Sequence, residues 1–400
     1  MKIRAAGEPH LTYCTNIHAG ESWAEVKGAV DDQVTAVKRA VAGDAAFGVG
    51  LRLSARAAAE LSDPEELSRF RAMLDARNMY VFTINGFPYG AFHGTRVKER
   101  VYLPDWLDDA RLSYTALLGD LLAQLLPDDV PFGTVSTVPG AFRPRVSSGA
   151  DAEAMGDRML AAAAFFHGIR ARTGKTIALA LEPEPFCHLE TIAETIAFFE
   201  QHLFSARGVA CLAALTGASS KEAEESVRRH IGVCFDACHM AVEFENPGDG
   251  IARLMAAGIS IGKIQISDGL ELGFTRKEEL EPLRAFADDV YLHQVVEQGG
   301  AALRRYLDLP QALADVDPRP AERLWRIHFH VPVFRNSFGP LSSTQTYLRD
   351  VLAILRTTPV SPHLEVETYT WDVLPDEHRR DGVVQAVIRE LEWVRAELER

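Results

Sequence analysis

The stretch Ile231-Gly-Val-Cys-Phe-Asp-Ala-Cys-His-Met240 reads as a buried strand that breaks off in coordinating side chains. Ile231, Val233 and Phe235 are strand formers, and Asp236, Cys238 and His239 follow where such a strand meets a loop. In a parallel α/β barrel that edge is where side chains from several strands converge. Two more apolar runs end in carboxylates in the same way, Thr176-Ile-Ala-Leu-Ala-Leu-Glu182 and His363-Leu-Glu-Val-Glu367. The pattern points to a divalent-metal pocket at a barrel mouth.

Working outward, strand-like runs at 10–18, 47–54, 80–86, 132–138, 176–182, 231–236 and 259–267 alternate with helical segments. Ser22 is placed to cap the first helix, and Asp63-Pro-Glu-Glu opens the second. Nearly unbroken apolar strands alternating with helices indicate a parallel sheet covered on both faces. Seven units by residue 267 without a composition break favour a closed (β/α)8 TIM barrel over a doubly wound sheet. No GxGxxG follows the first strand, which leaves a dinucleotide fold without support. The Gly- and aromatic-rich loop from Phe87 to Gly94 is irregular enough to close over a site.

Residues 270–323 break the rhythm, being charged and Pro-containing, with one hairpin expected from Val290–Val295, Gly299-Gly300 and Arg304–Tyr306. They read as an insertion over the mouth of a single domain spanning 1–400. Two strands are expected after it, at 325–332 and 363–369, which makes nine candidates for eight barrel positions. One of the nine must pair elsewhere.

The net charge of −14, from 42 Lys+Arg against 56 Asp+Glu, speaks against binding a nucleic-acid backbone. The N-terminal ten residues hold no apolar run, and no segment approaches the roughly 20 apolar residues that span a bilayer, so a cytoplasmic chain without membrane insertion is expected. Five cysteines at unpaired spacing, Cys14, Cys187, Cys211, Cys234 and Cys238, suggest reduced and mostly buried thiols.

Glu182, Asp236 and Glu367 are the candidate ligands. A single strand-end carboxylate is more often a helix cap, but three of them inside apolar runs would be costly to bury without a cation. Period-two parity places Glu365 with Glu367 on one face, and His328 with His330 on another. An oxygen-rich set with one imidazole suits Mg²⁺, Mn²⁺ or Zn²⁺. His239 is open to a ligand, a substrate or a capping role, and Lys263, Arg326 and Arg335 to binding an anion.

Leu-Glu182, Phe-Asp-Ala-Cys-His-Met240 and Val-Glu-Thr-Tyr369 resemble the xylose-isomerase-like barrels, which include ketose 3-epimerases, sugar-phosphate isomerases and type-IV apurinic endonucleases. The resemblance implies that Glu182 and Glu367 are both ligands and proton-transfer groups, Asp236 a ligand and His239 a substrate contact. His18 and His328 join His239 as candidate substrate contacts. Gln265 stands where those barrels have a histidine, so the remaining donor is either Gln265 or His330.

Longer motifs are similar to the bacterial metabolite-traffic family EboE: Tyr13-Cys-Thr-Asn-Ile-His-Ala-Gly-Glu-Ser-Trp23, Glu182-Pro-Glu-Pro185, Lys263-Ile-Gln-Ile-Ser267, His328-Phe-His-Val-Pro332 and Glu365-Val-Glu-Thr-Tyr-Thr-Trp371. That likeness implies a part in making or moving a small metabolite, alongside other proteins of one pathway. Three functions stay open: isomerisation or epimerisation of a sugar- or cyclitol-like compound, non-catalytic binding and hand-off of such a metabolite, and cleavage at abasic DNA. The acidic balance disfavours the last.

Overall fold

The computed structural model describes all 400 residues. The first seven strands are β1 (His10–Tyr13), β2 (Phe47–Arg52), β3 (Met79–Asn85), β4 (Phe132–Thr137), β5 (Thr176–Leu181), β6 (Ile231–Asp236) and β7 (Ile261–Ile266). Six short strands intervene: β8 (Leu270–Phe274), β9 (Val295–Gln298), β10 (Arg304–Tyr306), β11 (Arg323–Ile327), β12 (Ser337–Phe338) and β13 (Leu341–Ser343). The last is β14 (His363–Val366).

One sheet runs β1–β14–β7–β6–β5–β4–β3–β2, with every pairing parallel. Its two ends meet at a parallel bridge between Cys14 and Gly50. Thr12 reinforces the seam: its Oγ1 donates to the Gly48 carbonyl at 2.7 Å and accepts from the Gly50 amide at 3.1 Å. A Cβ at position 50 would stand 2.6 Å from the Tyr13 carbonyl oxygen and overlap Glu365 Oε1, so the closure requires glycine there. The chain is therefore an eight-stranded parallel β/α barrel. Every residue of β2 and β6 is buried, as expected where helices cover the outside and side chains fill the inside.

Helix starts follow local chemistry. Ser22 and Glu25 form a reciprocal capping box, and Asp63 caps the helix Pro64–Ala76 through the amides of Glu65 and Glu66. A further helix, Ala206–Thr216, ends at left-handed Gly217. No helix is long and apolar enough to cross a membrane.

The other six strands form an antiparallel sheet in the order β10–β9–β11–β8–β13–β12. The expected hairpin exists, but its strands are β9 and β10, so the first begins where the expected one ended. The ninth strand candidate is settled too. It is confined to β11 and pairs with β8 and β9, outside the barrel. Its alternating burial, with Trp325 and Ile327 buried and Arg326 half-buried, is the signature of a strand with only one covered face. Past Ile327 the chain leaves that sheet: the His328 amide donates to the Gln294 carbonyl and the Val331 amide to the Asp268 carbonyl, both at 2.9 Å. That path carries His328 and His330 back to the C-terminal edge of the barrel.

Candidate metal centre

Asp236 ends β6 and caps the short helix Ala237–Val242. Its Oδ1 accepts from the His239 amide at 2.9 Å and from Ser267 Oγ at 2.7 Å. Its Oδ2 has no partner and lies 3.9 Å from His239 Nε2. One oxygen thus performs the helix-capping role and the other is left free. Glu182 follows β5 directly, is buried, and also leaves one oxygen, Oε2, unpartnered.

Glu367 follows β14 and is held by two asparagines. Its Oε1 accepts from Asn16 Nδ2 at 2.7 Å and Asn85 Nδ2 at 3.2 Å, while Oε2 lies 3.8 Å from His330 Nδ1. His330 Nδ1 donates to the Glu367 carbonyl at 3.1 Å, which leaves Nε2 as an unprotonated and unpartnered acceptor. Donor atoms of Glu182, Asp236 and His239 lie within 4.8 Å of one another, as do those of His239, His328 and His330, and of Asp236, Cys238 and His330. Glu367 stands outside these groupings.

The electrostatics follow from burial. Burial, with the charges of Glu367 and Asp236 added, pushes the Glu182 carboxyl well above the usual carboxylate range. Burial and then Asp236 do the same to Glu367, and Lys263 opposes both shifts. Glu184 is pushed up to about 8, chiefly by burial, although Tyr102 OH donates to its Oε1 at 2.7 Å. Burial holds His239, His328 and His330 below the ordinary imidazole value. Beneath this layer Lys263 Nζ lies 2.5 Å from Glu365 Oε2, with both side chains fully buried.

The polar edge faces a cavity of about 50 Å³. Asn16, Asn85, Glu182, Glu184 and Glu367 supply polar lining, with His239 and His328. The rest of the lining is largely aromatic: Phe87 and Phe92 of the 87–94 loop, Tyr102, Tyr291 and Tyr369. Phe92 packs against Tyr291 and Tyr369 with ring centroids 5.0 and 5.2 Å apart, so that loop does form part of the roof.

The sequence candidates therefore divide. Glu182, Asp236, His239, His328 and His330 come together, and Glu367 joins from the cavity side. His18 is buried with Nε2 2.8 Å from Tyr13 OH, and it does not line the cavity. Gln265 is also buried, its Oε1 accepting from the Cys234 thiol at 3.3 Å while Nε2 lacks a partner. As oriented, it turns a donor rather than an acceptor to the unfilled side. None of the three cations suggested as anion sites is free: Lys263 pairs with Glu365, Arg326 with Glu271 at 2.8 Å, and Arg335 donates to His378 Nδ1 at 3.3 Å.

Asn16, Asn85, Glu184, Tyr102, Gln294 and Tyr369 were not anticipated. Asn85 could have been, since it ends β3 as Asp236 ends β6. Glu184 stood in plain view in Glu182-Pro-Glu-Pro185. Nothing local marks Gln294.

A divalent cation fits the residues present. Three buried acceptors, Glu182 Oε2, Asp236 Oδ2 and His330 Nε2, lack any hydrogen-bond partner, and buried acceptors of this kind are normally satisfied. All five cysteines are free, and Cys211 alone is less than fully buried.

No family model and no curated protein matches the sequence. Among solved structures, the chain is similar to a xylose isomerase domain protein from Planctomyces limnophilus (14% identity, 98% of each chain, TM-score 0.49). It is also similar to a 3-keto-D-glucoside 4-epimerase from E. coli (12% identity, 97% of this chain and 99% of that one, TM-score 0.46). A third is endonuclease IV from Thermus thermophilus (15% identity, 98% of this chain and 99% of that one, TM-score 0.45).

Proposed function

We propose that this chain is a divalent-metal-dependent isomerase or epimerase acting on a sugar- or cyclitol-like compound. The observation that carries the reading is the set of unpartnered buried acceptors on Glu182, Asp236 and His330 beside the cavity edged by Glu367. Glu182 Oε2, Asp236 Oδ2 and Glu367 would hold Mn²⁺, Zn²⁺ or Mg²⁺, with a further donor from His330 or Gln265. Bound there, the ion supplies Lewis-acid polarisation of a substrate carbonyl and its neighbouring hydroxyl.

The proton chemistry belongs to the chain. Glu182 and Glu367 act as an acid–base pair, one removing a carbon-bound proton and the other returning one. Asn16 and Asn85 fix Glu367 by Oε1 and leave Oε2 as the oxygen that faces ion and substrate. His239 and His328 face the cavity as substrate contacts. The aromatic side excludes water and packs on the carbon face of a ring.

Small-molecule sites usually measure about 300–1,000 Å³. The 50 Å³ cavity is far smaller, so a sugar-sized ligand needs its lining to open, and the 87–94 loop with Phe87 and Phe92 is the segment expected to give way. Residues 270–323 act as an insertion over the mouth of a single 1–400 domain. The EboE-like motifs are what supports a cytoplasmic role in a bacterial pathway that makes and exports a metabolite with other proteins of the same set.

The test is deuterium incorporation from solvent into ketoses and cyclitols with Mn²⁺ supplied. Exchange that disappears in Glu367→Gln supports the enzyme. No exchange with any candidate, metal being bound, refutes it. A second reading, a metal-containing binding and hand-off protein, is favoured by Gln265 in place of histidine, and it expects Glu367→Gln to retain ligand affinity. Cleavage of abasic DNA is disfavoured by the net charge of −14, and nicking of an abasic duplex would reveal it.

A further inference from the structure

Glu184 has no part in the proposed metal set, yet it is buried and lines the cavity. Tyr102 OH donates to its Oε1 at 2.7 Å, and Gln294 Nε2 in turn donates to Tyr102 OH at 2.8 Å. Gln294 Nε2 also reaches the Pro185 carbonyl at 3.3 Å, which fixes the amide and the direction of the chain. The tyrosine therefore gives its one proton to Glu184. Oε2 accepts no hydrogen bond, and no lysine, arginine or histidine of the chain lies within ion-pair distance of the carboxyl. A buried carboxylate is normally paired with a cation.

The rest of the lining does not supply one. Lys98 is the only lysine or arginine there. Its Nζ donates to the carbonyl oxygens of Asp288 at 3.0 Å and Tyr291 at 2.6 Å, and to Asp308 Oδ2 at 2.7 Å. An ammonium has three hydrogens, and all three are taken. A phosphate or carboxylate on a ligand would enter a cavity that holds Glu182, Glu184 and Glu367, with no lysine or arginine hydrogen left to meet it. Aromatic rings complete the lining, with Tyr291 and Tyr369 packed edge to face at 5.3 Å between centroids. The face of an aromatic ring is negative and attracts ammonium groups, more strongly where water is excluded.

We infer that Glu184 marks an ammonium subsite, and that the ligand of this cavity is an unphosphorylated amine on a polyhydroxylated ring, an amino sugar or aminocyclitol. The ammonium donates to Glu184 Oε2, and the aromatic lining favours its charge. It is about the size of a water molecule, so a cavity of about 50 Å³ takes it before the 87–94 loop gives way to the ring. The Tyr102 hydroxyl is a positioning group that holds Glu184 by Oε1 and leaves Oε2 to the ligand. The net charge of −14 favours the approach of cations over that of phosphorylated sugars. The polyhydroxylated ring rests on the proposed function, whereas the ammonium subsite rests on Glu184 and its surroundings.

The test is isothermal titration calorimetry of the full-length protein, saturated with Mn²⁺, against pairs that differ by one amino-for-hydroxyl exchange. The pairs are D-glucosamine and D-glucose, D-galactosamine and D-galactose, and scyllo-inosamine and scyllo-inositol, with D-glucose 6-phosphate added. At least one amine is expected to bind about 10-fold or more tighter than its hydroxyl twin, and the phosphate no tighter than glucose. Glu184→Gln keeps the shape and removes the charge, so it should weaken that amine by more than about 30-fold and its twin by less than about threefold. Tyr102→Phe should weaken the amine roughly 10-fold. Should Glu184→Gln fail to fold, as judged by near-ultraviolet circular dichroism, Tyr102→Phe and the wild-type comparison carry the test. Hydroxyl twins that bind as tightly as the amines, no amine bound in the millimolar range, or an amine affinity unchanged in Glu184→Gln overturns the subsite. Amine preference without solvent-deuterium exchange upholds it and removes the isomerase reading. Exchange into a neutral or phosphorylated sugar without amine preference upholds the reaction and overturns the subsite.

Discussion

Replacing Lys263 by Met should destabilise the barrel by several kilocalories, and restoring charge balance at Glu365 should recover much of the loss. Lys263 Nζ lies 2.5 Å from Glu365 Oε2, and neither side chain reaches solvent. Burial alone would lower the lysine, but the Glu365 carboxylate outweighs it and holds Lys263 above its usual value. Removing one partner of such a pair strands a buried charge and costs about 3–5 kcal/mol, whereas removing both is close to neutral. A chain of 400 residues unfolds with an entropy of roughly 0.8 kcal/mol per kelvin at about 2.1 cal/mol/K per residue, so Lys263→Met should lower Tm by about 4–6 °C. Adding Glu365→Gln should raise Tm again, because the second change removes the stranded carboxylate. Differential scanning calorimetry of the wild type, both single variants and the double variant closes the cycle. A Lys263→Met loss below about 1 kcal/mol, or strictly additive effects, would refute the claim that the pair acts as a unit. Because Lys263 also opposes the upward push on Glu182 and Glu367, the single variant should hold those carboxyls protonated to still higher pH.

Glu390 is pushed up to about 7, mainly by burial, with Thr368 Oγ1 donating to it at 2.6 Å and the Val333 amide at 3.2 Å. Its folded value lies above the unfolded one, so the folded state keeps a proton that the unfolded chain has lost. Its contribution is full below about pH 4.5 and is lost as pH rises to about 7, a fall of roughly 3 kcal/mol. Urea unfolding across that window should show Glu390→Gln flattening the decline, and an unchanged slope would count against the assignment. Gly50→Ala should break the β1–β2 seam, since its Cβ would meet the Tyr13 carbonyl at 2.6 Å. A loss of Tm or soluble yield at least as large as that of Lys263→Met is expected, and a wild-type Tm would contradict it.

The barrel was legible because its signals are local. Each strand from β1 to β7 is a short apolar run bounded by turn or cap residues, and Ile231–Asp236 coincides with β6 to the residue. Glu182, Asp236 and Glu367 were legible for a related reason: a carboxylate ending an apolar run is visible without knowing what it touches. What was not legible depends on pairing across long separations. The run from Trp325 looks as much like a barrel strand as its neighbours do. Only its antiparallel partners, β8 and β9, and its half-exposed alternation remove it from the barrel.

The same limit hid Gln294, whose meaning comes from His328 on one side and Tyr102 on the other. It also hid Asn16 and Asn85, which matter because both reach Glu367, Asn16 from the turn after β1 and Asn85 from the end of β3 across the barrel seam. Gln265 shows the opposite case. Its place in the sequence pointed to the centre, while its hydrogen bond with Cys234 turns its acceptor away.

Whether the unpartnered carboxylate oxygens at the barrel mouth share a cation is decided by anomalous diffraction from crystals soaked in manganese. One peak is expected in contact with both Glu182 Oε2 and Asp236 Oδ2, on the side of the cavity edged by Glu367. A map without a peak there, or carboxylates turned apart and satisfied by protein donors, would contradict it.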